Sequence, residues 1–66
     1  MAVINVYILT YKGKGMEDKE ELFKVDKSKE NQIDQIIKNK LKDSEYSSIT
    51  YQLSGDEYVN QISKPK

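Results

Sequence analysis

No cysteine and no histidine occur among the 66 residues, so a disulfide framework and a zinc site, the usual staples of very small domains, are both closed to this chain. Whatever it folds into must be held by an apolar core alone. A chain of this length buries only about 60% of the surface that its unfolded form exposes, so one domain is the upper limit and each apolar face has to be used. The expectation is a single domain over residues 1–62, followed by a frayed polar tail at 63–66 that contains the one proline, Pro65.

Hydrophobic periodicity then decides the elements. From Val3 to Tyr11 the sequence is rich in β-branched and aromatic residues, with Ile4, Val6 and Ile8 on one face and Val3, Tyr7, Leu9 and Tyr11 on the other. Apolar residues on both faces at period two predict a central strand. Gly13 and Gly15 end it, both read as positions that take a positive φ cheaply. Alternation resumes from Glu20 to Asp26, with Glu21, Phe23 and Val25 set against Leu22 and Lys24, so a hairpin with a charged loop at 12–19 is expected.

Asp26 or Ser28 then offers a side-chain oxygen to cap a helix. Ile33, Ile36, Ile37 and Leu41 recur at i, i+3, i+4 and i+8, one apolar stripe. Lys40 falls inside that stripe by angle, its ammonium expected to reach out to water. Tyr46 to Leu53 sets Ile49, Tyr51 and Leu53 against Tyr46, Ser48, Thr50 and Gln52; a turn at 54–57 and a short strand from Tyr58 to Ile62 complete the chain. The order β-β-α-β-β predicts an α+β fold, a small antiparallel sheet with one helix packed on one face. The predicted core sets the helix stripe against Ile4, Val6, Ile8, Phe23, Val25, Ile49 and Leu53.

Composition narrows function as sharply as it narrows the fold. There is no Trp, and the eleven basic residues are all Lys. A side chain that titrates near neutral pH, a thiolate nucleophile and the planar fork that reads phosphate or guanine are therefore missing. Eleven acids balance the eleven lysines, which removes any global pull toward nucleic acid or an anionic membrane. Residues 1–9 are apolar but lack a basic leader and are too short to span a bilayer, so a soluble, cytoplasmic protein is expected.

The motifs that could carry chemistry fail on spacing. Gly13-Lys14-Gly15 lacks the P-loop pattern and precedes a strand rather than a helix. Glu17, Asp18, Glu20 and Glu21 do not follow the EF-hand arrangement. No nucleophile is paired with a base in the sequence, so no residue is assigned as catalytic, cofactor-binding or metal-binding, and no enzyme is expected.

Three surfaces remain. One helix cannot cover both faces of the first strand, so Val3, Tyr7, Leu9 and Tyr11 are predicted to form an uncovered, protein-binding strip. Lys38, Lys40 and Lys42 at the helix end would serve a nucleic-acid-binding module. The acids Glu17, Asp18, Glu20 and Glu21 would let a hairpin imitate a phosphate backbone and inhibit a DNA-binding protein. The first is preferred. The expected function is a small non-enzymatic module that binds, and inhibits or regulates, another protein, with a homodimer expected through the unpaired sheet. Abundant Lys, Ile, Asn and Tyr, which AT-rich codons specify, fit the accessory proteins of phages and mobile elements.

Overall fold

The computed structural model describes residues 3–65. It contains strand β1 (Ile4–Lys12), strand β2 (Lys19–Asp26), a 3₁₀ segment (Lys27–Gln32), helix α1 (Ile33–Lys42), strand β3 (Ser48–Leu53) and strand β4 (Val59–Ser63). The strands form one antiparallel sheet in the order β2-β1-β3-β4, and α1 covers one of its faces. This is the expected α+β architecture, with β1 central.

Both hairpin turns are closed the same way. The Met16 amide donates to the Gly13 carbonyl at 3.2 Å and the Asp56 amide to the Leu53 carbonyl at 2.9 Å. Gly15 (φ 73°) and Gly55 (φ 89°) occupy the third positions, where a type II turn requires positive φ. Gly13 does not share that conformation. A Cβ there would approach the sulfur of the exposed Met16 side chain to 2.8 Å, which that side chain can relieve by moving.

Asp26 caps the helical segment as expected, its extended backbone turning the carboxylate onto the Ser28 amide at 3.0 Å. The first turn winds as 3₁₀ and passes into α1 at Ile33. Ile37 and Leu41 are buried, while Ile33 and Ile36 sit half-buried at the margins. Lys40 stays partly exposed, and its charge is shared with a neighbour. Its Nζ lies 3.2 Å from a Glu21 oxygen and 4.4 Å from the centre of the Phe23 ring, because the stripe position points it back over β2.

The faces of β1 are the reverse of the predicted arrangement. Tyr7, Leu9 and Tyr11 are buried with Val25, Ile49 and Tyr51 beneath α1, while Ile4, Val6 and Ile8 lie on the face that the helix leaves uncovered. Pairing register is the physical reason. Tyr7 stands opposite both Phe23 and Leu53, Leu9 opposite Tyr51, and Tyr11 opposite Ile49, and directly opposed residues share a face. Once Phe23, Val25, Ile49, Tyr51 and Leu53 turn inward, the odd-numbered residues of β1 must follow.

Two smaller differences concern ends. Tyr46 precedes β3, so strand alternation does not bind it, and it packs on Tyr11 with ring centres 5.4 Å apart. Pairing of β4 runs past Ile62 to Ser63, and the Lys64 amide donates to the Ser47 carbonyl at 2.9 Å; of the expected tail, Lys66 lies outside the described residues.

Candidate binding surfaces

The open face is ordered by the same register that sets the core. Leu22, Ile8, Gln52 and Val59 stand opposite one another in a single row that crosses all four strands. Leu22 is 71% exposed and Val59 60%, and Ile4 at the end of β1 is 50% exposed. Val6 and Ile8 lie half-buried between them. Glu20, Lys24 and Asp26 alternate with Leu22 along β2, so the apolar row is framed by charges of both signs.

The covered face is closed at its rim by tyrosine hydroxyls. Tyr7 donates to Glu30 at 2.9 Å and Tyr11 to Glu21 at 2.7 Å, while Tyr51 donates to Asp34 and the Asn5 amide also donates to Glu30. Burial, reinforced by the carboxylate each hydroxyl touches, pushes Tyr7 and Tyr11 up to about 12 and drives Tyr51 upward as well. Glu21 is held below the usual carboxylate range, first by the Tyr11 hydroxyl and then by Lys40. The Tyr51–Asp34 and Tyr7–Glu30 pairs tie the sheet to α1 and to the 3₁₀ segment, while Tyr11–Glu21 ties β1 to β2 and, through Lys40, Glu21 to the helix. The arrangement does not furnish an acid–base pair for neutral pH.

Each sequence-predicted surface is rearranged by this geometry. Of the strip Val3, Tyr7, Leu9 and Tyr11, only Val3 is exposed and the other three belong to the core; the strip is not a docking surface, because it is the face α1 covers. Lys38, Lys40 and Lys42 do not form one patch. Lys40 turns toward Glu21, whereas Lys38 and Lys42 line a groove between α1 and β4 with Lys64, over Leu41 and Ile62. The acids separate too: Glu20 lies on the open face and Glu21 on the covered one, since neighbours in a strand point oppositely, and Glu17 and Asp18 remain exposed in the loop. Four carboxylates divided in this way do not trace a phosphate backbone.

Leu22 and Val59 were missing from the predicted surface. For Leu22 the signal lies in the sequence, its alternation with Phe23 and Val25; Val59 is turned outward by its pairing with Gln52, which only the register shows. Among the described residues no group of three or more acidic side chains gathers closely enough to hold a metal ion, and no helix is long and apolar enough to cross a membrane. Comparison of the chain with protein families, with curated proteins and with solved structures finds no match.

Proposed function

We propose that the chain is a small non-enzymatic protein-binding module, an inhibitor or regulator of another protein, that engages its partner through the open face of the sheet. The observation that carries this reading is the patch of Leu22, Ile8, Val6 and Ile4 on the open face, with Val59 beyond the polar Gln52 in the same row. Contiguous exposed apolar residues on a rigid sheet mark an interaction surface. They lose few rotamers on docking, so burying them against a partner is weakly opposed by entropy. The mixed charges around the row favour a protein partner with charges of both signs over a uniform polyanion. Its size and its abundance of Lys, Ile, Asn and Tyr, which AT-rich codons specify, fit an accessory protein of the phage or mobile-element type.

A second reading rests on the groove. Lys38, Lys42 and Lys64 border it, and an acidic or nucleic-acid ligand seated there would answer to them. Mobility shift with single-stranded DNA at low and moderate salt tests this, since phosphate binding falls steeply with salt.

To separate the two, the full chain is tethered and exposed to an AT-rich bacterial lysate beside an Ile8→Glu/Leu22→Glu variant and a Lys38→Glu/Lys42→Glu variant. The proposal expects a protein species retained by the parent and by the lysine variant and lost by the open-face variant. Capture that survives in the open-face variant and vanishes in the lysine variant would replace the first reading with the second.

A further inference from the structure

β2 is the long free edge of the sheet. Its eight residues pair with β1 on one side only. The opposite edge, β4, is five residues long and runs into Pro65, which has no N–H to offer a further strand. Two hydrogen bonds fix which β2 groups are free. The Val6 carbonyl accepts from Ser54 beside β3, and the Val3 carbonyl accepts from Lys27 beside β2. Even-numbered residues of β1 therefore bond toward β3 and odd-numbered ones toward β2. The β2 residues opposite those odd positions are Lys19, Glu21, Phe23 and Val25. The main-chain N–H and C=O of Glu20, Leu22 and Lys24 consequently point away from the sheet.

We propose that a second copy of this chain pairs along this edge, antiparallel and two-fold symmetric about Leu22. Two four-stranded sheets then become one continuous sheet. This axis sets Leu22 against the partner's Leu22 and, on either side of it, Glu20 against the partner's Lys24. Charge selects the register. An axis at Glu20 or at Glu21 opposes two glutamates, one at Lys24 opposes two lysines, and one at Phe23 sets Glu20 against the partner's Asp26. An axis at Val25 would set Lys24 against the partner's Asp26 but engages only the last three residues of β2, whereas the axis at Leu22 engages Lys19 to Val25 and flanks an apolar centre with opposite charges, in pairs whose Cβ atoms lie about 5 Å apart. A charged edge strand ordinarily repels other strands; here the two signs are placed so that a two-fold mate satisfies both. Such an isologous contact closes at two copies. It also joins the row Val59–Gln52–Ile8–Leu22 to its own image, doubling the apolar surface on the open face. The pairing rests on edge geometry and charge, and it stands or falls independently of the partner-binding reading.

Sedimentation equilibrium of the full chain across the micromolar range tests it, with circular dichroism confirming that each variant is folded. The parent is expected to dimerise. Glu20→Lys and Lys24→Glu should each weaken the dimer about tenfold or more, because each turns two attractive cross-strand pairs into repulsive ones. An equimolar mixture of the two variants, and the double variant, should recover dimer at the parent's concentration, since opposite charges again face each other. Val59→Asp, on the open face far from β2, should leave the dimer intact. Amides of Glu20, Leu22 and Lys24 should exchange more slowly with solvent as concentration rises. A parent that stays monomeric, charge variants that dimerise like the parent, a mixture that fails to recover, or loss of dimer in Val59→Asp would each overturn the proposal.

Discussion

Tyrosine does the work that phenylalanine and tryptophan do in larger cores, and the reason lies in its two ends. Tyr7, Tyr11 and Tyr51 bury their rings beneath α1 and reach carboxylates of Glu30, Glu21 and Asp34 at the rim. These contacts tie stability to alkaline pH. Tyr7 and Tyr11 have an ordinary value of 10.0 and a folded value of about 12, so the native state holds protons that the unfolded chain releases first. Their contribution is complete below pH 10 and is lost as pH rises through about 12. Urea midpoints taken as a pH series should be level below that window and fall across it, and Tyr7→Phe with Tyr11→Phe should flatten the fall. A parent midpoint indifferent to pH across the window would show that neither burial of these phenols nor their carboxylate contacts hold them protonated in the fold. In the neutral range, Tyr11→Phe should itself cost about 1–2 kcal/mol, because it leaves Glu21 with Lys40 alone.

At the scale of elements, α1 holds the fold through two side chains. Ile37 and Leu41 are buried in the core cluster, whereas Ile36 is half-buried. Ile37→Ala should cost about 2–5 kcal/mol, a loss that a domain this small barely tolerates, and Ile36→Ala clearly less. Asp26→Ala should lower stability by less than Ile37→Ala, through the lost bond to the Ser28 amide. Chemical unfolding measures all three, and equal costs for Ile36 and Ile37 would mean the helix is rotated. The helix stripe, its Asp26 cap, the alternation of β3 and the turn at Gly55 were all legible, because each is a local pattern with one apolar row. β1 was not. Its two rows, Ile4-Val6-Ile8 and Tyr7-Leu9-Tyr11, are both apolar, and period two reveals the rows without saying which turns inward. That choice belongs to Phe23, Val25, Ile49 and Tyr51 on the neighbouring strands. The lysine and acid clusters misled for a related reason, since closeness in sequence places strand neighbours on opposite faces and sends Lys40 away from Lys38 and Lys42.

For the molecule as a whole, two layers are the decisive fact. Among the described residues, one helix and one four-stranded sheet leave a sheet face and two strand edges without cover. Ile4, Leu22 and Val59 are exposed because no described element reaches them, and the binding function proposed here uses them. The account therefore depends above all on which row of β1 faces outward. Paired unfolding measurements on Leu9→Ala and Ile8→Ala address this most directly. Leu9 is fully buried and Ile8 only half-buried, so Leu9→Ala is expected to cost about 2–5 kcal/mol and Ile8→Ala no more than about 1 kcal/mol. The opposite order, with Ile8→Ala the more damaging, would place the core on the other face of β1 and contradict the account.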